Sequence, residues 1–269
     1  MIKSLLPVRA INGLRWVVHY PKRSILSLRW AIREQRLWKM FHYLEWVVPD
    51  ITDQYSSFKV DTPFLRLKVR GLHAFQMSLV KIALGAHQRP PHDVVDIGDS
   101  SGTHTQYLRQ YCQDLSIRVP TCWSVNWDPE AVRKIRSKGL DARLQNIERP
   151  DTDEEDCLWA DVAMCFETLE HLENPIAFLT ALNVKTLIIT VPYVHKSRVG
   201  LDSKTGLENT HVFELSPEDW TKIFLFTGWD LHNSRIYRQY PSWWPLIGRW
   251  WKRNDFEGFW GVVLIKEVK

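Results

Sequence analysis

The amino-acid sequence predicts an α/β fold: an open, mainly parallel sheet of seven strands with helices on both faces, preceded by an N-terminal helical extension. Beyond residue 90, short apolar runs alternate with segments of helical spacing, which is typical of parallel strands joined by helices. The first 48 residues carry apolar side chains at helical spacing instead. The length of 269 residues, with 45% apolar and 25% charged residues, suits a folded α/β domain with an extension.

The N-terminal part is predicted to be helical. Its apolar spacing indicates two or three amphipathic helices within residues 1–48, with a break near Pro21. A further helix is expected over residues 62–86, ended by Arg89-Pro90-Pro91 because prolines stop helices. We therefore divide the chain into an extension over residues 1–60 and a domain over residues 61–269, which includes a Trp-rich insertion at 238–256.

The remaining elements follow in alternation. Proline at the first turn marks the helix that begins at Pro129, and Ser216-Pro217-Glu218-Asp219 resembles a capping box. The last two strands have no helix between them, so an antiparallel pair is expected there. The predicted strands are 94–97, 122–125, 141–145, 162–166, 186–191, 229–237 and 259–266. The predicted helices are 103–111, 129–138, 175–182 and 217–227.

Positive charge is concentrated at the N-terminus. Residues 1–49 hold nine Lys or Arg and two acidic residues, a larger excess than the net charge of +4 of the whole chain. Such a segment suits phosphates, anionic lipid or nucleic acid. Tryptophans also cluster near both ends, which fits either packing of the two ends against each other or contact with a membrane interface.

Membrane-spanning and secreted classes are not expected. No apolar stretch reaches the roughly 18 residues that a spanning helix needs, and basic residues interrupt any signal-peptide core. The four cysteines show no C-x-x-C spacing, so buried thiols in a reducing compartment are expected. We predict a cytoplasmic protein, with peripheral contact at the inner membrane face left open.

The sharpest local feature is the segment from Val95 to Thr103, an apolar run followed by a turn of small residues and then a helix. Its glycines, Gly98 and Gly102, would let the backbone approach a ligand at the carboxyl end of a strand. Residues 98–102 also match the G-x-S-x-G of serine hydrolases, with Ser100 as nucleophile and His211 as base. A dinucleotide site lacks its third glycine in register, and a turn without any ligand also remains open.

The same segment resembles the first motif of class I S-adenosylmethionine-dependent methyltransferases, with Ser100 in place of the middle glycine. This resemblance implies a Rossmann-like methyltransferase fold and S-adenosylmethionine as cofactor. It implies that Asp96, Gly98, Ser100 and Gly102 line the cofactor. Further motifs follow in order over residues 90–230, and the segment from Asp161 to Pro175 looks like the fourth motif of ubiquinone-biosynthesis-type methyltransferases.

The resemblance also assigns residues beyond the first motif. Asn126, at the end of the second strand, stands where the family has a polar residue on the ribose hydroxyls, and Asp128 is the alternative for that role. Asp128 is equally well explained as the cap of the helix that begins at Pro129. Asn146 stands where the family often contacts the adenine amine, and Phe166 of the fourth motif completes the implied cofactor site.

A metal or a base is a further expectation. Glu167, Glu170 and His171 are spaced i, i+3 and i+4, so a helical turn would place them on one face, and His211 would complete a divalent-metal set. This arrangement looks like that of the small-RNA 3′-end 2′-O-methyltransferases. In many relatives a similar triplet holds no metal. His171 or His211 then remains a candidate general base for a hydroxyl.

The predicted function is methyl transfer from S-adenosylmethionine to an oxygen of a small metabolite or a glycan, including a lipid-linked one. Three alternatives stay open: an RNA 3′-terminal ribose 2′-O-methyltransferase with a metal site, a non-catalytic binding protein of the same fold, and the serine hydrolase.

Overall fold

The computed structural model describes residues 25–55, 58–87, 89–148, 158–199, 211–242 and 258–266. The predicted break near Pro21, Cys157 and most of the Trp-rich insertion lie outside these ranges. The α-helices of the described part are α1 (Ile25–Glu34), α2 (Trp38–Val47), α3 (Pro63–Ala86), α4 (Thr103–Asp114), α5 (Pro129–Ser137), α6 (Pro175–Ala181) and α7 (Pro217–Phe226).

Seven strands form one sheet. They are β1 (Asp93–Ile97), β2 (Thr121–Asn126), β3 (Asp141–Leu144), β4 (Trp159–Phe166), β5 (Asn183–Pro192), β8 (Asp230–Tyr237) and β9 (Phe259–Ile265). Their order is β3-β2-β1-β4-β5-β9-β8. The first five pair in parallel, whereas β9 is antiparallel to both β5 and β8. The seven-stranded, mainly parallel sheet and the antiparallel final pair are thus confirmed.

Helices begin where the local sequence predicts. Thr62, Asp128, Asn174 and Ser216 each precede a proline, and each side-chain oxygen accepts a backbone N–H of the helix that follows. Proline suits this place because it lacks only an N–H that would have no partner inside the helix. The capping interpretation of Asp128 is therefore confirmed, with Oδ1 2.9 Å from the backbone N of Glu130.

The core lies on both faces of the sheet. On one face, Val94 and Ile188 pack with Phe75 of α3 and Tyr107 of α4. On the other face, the core includes Trp220 of α7 together with apolar residues of β4, β5 and α6. The sheet is thus covered by helices on two sides, and the carboxyl ends of its parallel strands meet at one edge.

The N-terminal helices pack on the domain. Leu28 and Ile32 of α1 belong to the same apolar core as α3. Gln35 exchanges two hydrogen bonds with the backbone of Arg238, at 2.7 and 2.8 Å, so the N-terminal helices contact the first residue of the predicted Trp-rich insertion. The expected packing of the two tryptophan clusters against each other stays a prediction, because most of these tryptophans lie outside the described ranges. The boundary at residue 60 stays a prediction.

Two features were not predicted. A two-stranded antiparallel sheet is formed by β6 (Arg198–Val199) and β7 (Phe213–Glu214), whose strands are too short for a hydrophobic pattern to reveal. A single 3₁₀ turn, Leu169–His171, follows β4. Within the described ranges, no helix combines the length and the apolar composition needed to span a bilayer.

Candidate cofactor and metal site

The loop between β1 and α4 is shaped by one of its own carboxylates. Asp99 Oδ1 accepts the backbone N–H groups of Ser101 and Gly102, at 2.9 and 2.8 Å, and Oδ2 accepts the Ser124 hydroxyl at 2.7 Å. Two of the N–H groups that the sequence offers to a ligand are thus already satisfied within the protein. These three hydrogen bonds to Asp99 stabilise the conformation of the loop.

The two glycines of this loop are required by the backbone itself. Gly98 has φ +81° and Gly102 has φ +74°, in the left-handed region that favours glycine. A Cβ at Gly98 would lie 2.8 Å from Thr168 Cγ2 and closer still to its hydroxyl, and one at Gly102 would collide with Leu140. The protein therefore fills the space on the Cβ side of both glycines.

Asp96, the acid of the first motif, is buried near the carboxyl end of β1. Within the described part of the chain, its Oδ2 atom has no hydrogen-bond partner. Burial, and next the nearby Asp99 carboxylate, raise the pKa of Asp96 well above its usual range. A buried carboxyl without a partner costs stability unless a ligand supplies one, so Asp96 is a candidate ligand contact.

Asn126 is tied into the same loop. Its Nδ2 donates to the backbone oxygen of Asp99 at 2.9 Å, and its Oδ1 accepts from the backbone N of Asp128 at 2.8 Å. One N–H and one lone pair of the amide remain, enough for two ribose hydroxyls that donate and accept once each.

Asn146 is exposed, and its Oδ1 accepts from the backbone N of Glu148. Phe166 ends β4 with its ring 4.8 Å from that of His104.

The segment before α3 crosses this loop. The Ser100 hydroxyl donates to the backbone oxygen of Gln54 at 2.7 Å, and Lys134 Nζ donates to that of Asp53 at 2.9 Å. Gln54 is buried, and its Oε1 is unpartnered among the residues that the structure describes. Gln54 was not predicted as a site residue, because a lone glutamine between two helices belongs to no sequence motif.

The hydrolase alternative finds no support in the geometry around Ser100. Its hydroxyl bonds to a backbone oxygen, and in the described ranges no histidine is hydrogen-bonded to it. His211, the base that this alternative requires, is bonded through Nδ1 to Glu214 Oε1 at 2.8 Å. A serine nucleophile needs a base within hydrogen-bond reach.

Three of the four predicted metal ligands converge. Ligand atoms of Glu170, His171 and His211 all lie within 4.8 Å of one another, whereas Glu167 is outside this group. The prediction of one shared helical face was wrong, because the 3₁₀ turn begins only at Leu169 and Glu167 precedes it with φ +51°. No described atom bonds either carboxylate oxygen of Glu170, and burial raises the pKa of this group to about 7.

A carboxylate outside this group is bonded to His211, one of its two histidines. The hydrogen bond to Glu214 is the largest cause of the raised pKa of His211, and Arg198 pairs with Glu214 in turn. A carboxylate on the other ring nitrogen is the arrangement commonly found behind metal-binding histidines. The backbone N of Val212 donates to the backbone oxygen of Glu170 at 2.8 Å, which fixes the His211 segment beside the 3₁₀ turn.

A chain of buried polar side chains reaches Glu167 from behind. His104 Nε2 lies 2.9 Å from Gln76 Oε1, and Gln76 Nε2 donates to the Thr190 hydroxyl at 3.0 Å. With its oxygen accepting from Gln76, Thr190 is free to donate to Glu167, and this bond favours the charged form of that carboxyl. Burial nevertheless raises the pKa of Glu167 well above its usual value.

The unpartnered buried carboxylates share one location. Among the described residues, every buried carboxylate oxygen without a hydrogen-bond partner belongs to Asp96, Glu167 or Glu170. These residues lie at the carboxyl ends of β1 and β4, which are neighbours in the sheet. The edge where an open α/β sheet binds its ligand is thus the edge that carries the unsatisfied acids.

No family model matches the chain, and no curated protein matches it by sequence. Solved structures do match. The Burkholderia thailandensis 1,6-didemethyltoxoflavin-N1-methyltransferase, bound to its substrate and S-adenosylhomocysteine, has TM-score 0.50 and 14% identity over 72% of this chain and 79% of that one. The magnesium protoporphyrin IX methyltransferase of Synechocystis PCC 6803 with bound S-adenosylhomocysteine has TM-score 0.53 and 13% identity, over 84% and 94%.

The chain has the class I methyltransferase fold. The [4+2]-cyclase SpnF also matches, with TM-score 0.54 and 11% identity over 85% of this chain and 93% of that one. At this identity the match shows a shared fold alone. A cyclase among the matches illustrates that this fold serves more than one chemistry, so function has to be argued from the site.

Proposed function

We propose that the protein is an S-adenosylmethionine-dependent methyltransferase that methylates an oxygen of a small metabolite or a glycan, including a lipid-linked one. The observation that carries the proposal is the unpartnered, buried Asp96 beside the left-handed Gly98 loop in a methyltransferase fold. The order of motifs over residues 90–230, which resembles ubiquinone-biosynthesis-type methyltransferases, supports the choice of cofactor.

The residues at this edge fit the cofactor. S-adenosylmethionine carries an ammonium group, two ribose hydroxyls and an already activated methyl group. Asp96 offers a buried acceptor for a cation or a hydroxyl, and Asn126 retains one donor and one acceptor. Gly102 is bonded to Asp99 within the loop and Ser100 to Gln54 of the crossing segment, so the part of these two residues is to shape the site.

The remaining work for the protein is to orient the acceptor and remove its proton. In-line transfer needs the acceptor oxygen to be held close to the methyl carbon, and positioning supplies much of the rate. An alcohol also has to lose a proton. His211, whose ring is paired with Glu214, is suited to take that proton, and His171 lies with its ring 4.8 Å away.

Calorimetric titration with S-adenosylmethionine and S-adenosylhomocysteine tests the cofactor part. Asp96→Asn is the informative variant, and Asp93→Asn is the control on the same strand, since Asp93 lies at the opposite end and bonds to His92. We expect saturable binding by the wild type and the control, and at least about tenfold weaker binding by Asp96→Asn because a hydrogen bond to a charged group is lost. Absence of binding by the wild type would overturn the cofactor assignment and favour a binding protein of the same fold.

A second candidate is metal-assisted methylation of an RNA 3′-terminal ribose, favoured by the convergence of Glu170, His171 and His211. One carboxylate and two imidazoles suit Zn²⁺ or Mn²⁺, and the metal would hold the acceptor hydroxyls. Zn²⁺ and Mn²⁺ titrations of the wild type, Glu170→Gln and the exposed control Glu173→Gln test it. Binding lost only in Glu170→Gln supports the metal, and equal binding by all three proteins places any metal elsewhere.

The acceptor class is tested separately. Wild type with a methyl-labelled cofactor is presented with small hydroxylated metabolites, glycans with and without a lipid anchor, and single-stranded RNA. Transfer of label to RNA that depends on its terminal ribose, and on added metal, would favour the second candidate over the first.

A further inference from the structure

The outer face of α1 presents an apolar row beside a cationic row. Leu26 and Trp30 are four residues apart and therefore lie one turn above each other, with exposed fractions of 71% and 59%. Arg29 and Arg33 form the neighbouring row and are also exposed. We call these four residues the α1 outer face.

Packing among the residues that the structure describes does not explain this face. The residues of α1 that enter the core are Leu28, Ala31 and Ile32, on the opposite side of the helix. Trp30 Nε1 donates to Glu34 Oε2 at 3.2 Å, but the greater part of Leu26 and Trp30 stays in water, where apolar surface does not stabilise the domain. Such an arrangement indicates an interaction surface.

We propose that the α1 outer face docks on a membrane surface that contains anionic lipids. Helices that lie in the headgroup region carry Trp and Leu on one side with Arg or Lys beside them, and this helix has both rows. Arg36 and Lys39, also exposed, continue the positive charge past the end of α1. Residues 1–49 hold nine basic and two acidic residues, while the rest of the chain is slightly acidic.

A nucleic acid would use only part of this face. Phosphates need the arginines, and a base can stack on Trp30, but Leu26 would remain in water. Lipid headgroups and acyl chains use both rows together, because the arginines meet the phosphates and the apolar side chains enter below them. Docking does not depend on methyl transfer, so it can be measured without cofactor or acceptor.

The test is sedimentation of the full chain with vesicles of phosphatidylcholine alone and of phosphatidylcholine with one third phosphatidylglycerol. We expect binding to the anionic vesicles that is at least about tenfold tighter than to the neutral ones and that weakens with salt. Arg29→Gln with Arg33→Gln should weaken anionic binding about 30-fold, the combined effect of two surface cations. Leu26→Ser with Trp30→Ser should weaken it at least about tenfold, since burial of the apolar row is lost.

Leu225→Ser with Phe226→Ser is the matched control. These neighbours are exposed by 56% and 79%, much like the apolar row, but their helix carries Glu218 and Asp219 in its first turn. The control should bind vesicles as the wild type does. Thermal unfolding of every variant should remain within a few degrees of the wild type, because all the substituted side chains are on the surface.

Three results would overturn the proposal. The first is equal vesicle binding by the wild type and both α1 variants, which would place any membrane contact elsewhere. The second is salt-sensitive binding to single-stranded RNA with none to vesicles, which would make the face a nucleic-acid surface. The third is a wild-type dimer that the Leu26 and Trp30 substitutions convert to a monomer without any vesicle binding, which would make the face a contact between copies.

Discussion

Replacement of Gly98 by alanine tests whether the first glycine of the loop is held by the protein or reserved for a ligand. Its φ of +81° is costly for any residue with a Cβ, and the new methyl group would run into Thr168. Thr168 is itself anchored, because its hydroxyl donates to the backbone oxygens of Phe166 and Ile97, at 3.0 and 3.3 Å. The neighbour therefore cannot move aside without breaking these bonds.

The expected loss has two parts that can be separated. The left-handed conformation costs about 1–2 kcal/mol for alanine, and overpacking against Thr168 adds about 1–3 kcal/mol. Gly98→Ala should therefore lower the free energy of unfolding by about 2–5 kcal/mol. Thr168→Ala removes the hydroxyl and methyl that collide and leaves only the Cβ of residue 168, 3.0 Å from the new methyl group. In that background the same substitution should cost mainly the first part, with overpacking much reduced.

Urea denaturation of the four proteins of this cycle measures both parts. Gly85→Ala is the control, since a Cβ there has no atom within 4 Å, and it should raise the stability by about 1 kcal/mol. A Gly98→Ala protein that loses less than about 1 kcal/mol would refute the reasoning. So would an undiminished loss in the Thr168→Ala background, because the collision would then not be the cause.

Three further outcomes follow from the buried polar groups. Asp96→Asn should raise the stability of the ligand-free protein, more at pH 8 than at pH 5, because the pKa of Asp96 is raised and its burial costs more as pH rises; equal urea midpoints would contradict this. Gln76→Leu should lower the free energy of unfolding by about 2–5 kcal/mol in urea denaturation, since its two buried partners are left unpaired. The control Gln110→Leu, on the outer side of α4, should lower it by under about 0.5 kcal/mol. Similar losses in the two variants would contradict the buried hydrogen bonds of Gln76. Burial lowers the pKa of His104 from 6.5 to about 4. The free energy of unfolding should therefore fall by about 3 kcal/mol as the pH falls from 6.5 to 4, at about 1.36 kcal/mol per pKa unit. The free energy of unfolding of His104→Gln should fall less over the same pH range.

The fold was predictable because its signals are local and repeated. Capping residues followed by prolines fix the starts of α3, α5, α6 and α7, and the apolar runs fix the strands. What the pattern does not contain is the pairing of two-residue strands such as β6 and β7. Two residues cannot show a period, and their pairing depends on the Arg198 and Glu214 side chains that meet across it.

The candidate site was predictable by residue type and less so by geometry. Asp96 and Asn126 lie at the carboxyl ends of neighbouring strands, as the motifs indicate. The sequence does not reveal that the Asp99 carboxylate accepts the backbone N–H groups of Ser101 and Gly102, because a carboxylate in a turn can also point to solvent. The sequence spacing also wrongly placed Glu167 on one helical face with Glu170 and His171. Glu167 has a left-handed backbone, and the spacing of residues along the chain does not indicate backbone conformation.

The acids at this edge are better explained by a ligand than by stability. An unpaired buried carboxyl costs free energy, and replacement by an apolar or amide side chain would remove that cost. The protein instead adds support behind one of them, where Gln76 orients the Thr190 hydroxyl towards Glu167. These buried hydrogen bonds restrict the side chains of Gln76 and Thr190, which costs conformational entropy. The cost is worthwhile only if the protein needs the Glu167 carboxyl at this position. The same reasoning applies to Asp96, whose loop is held rigid by Asp99 while its own oxygen stays available for a bound cation.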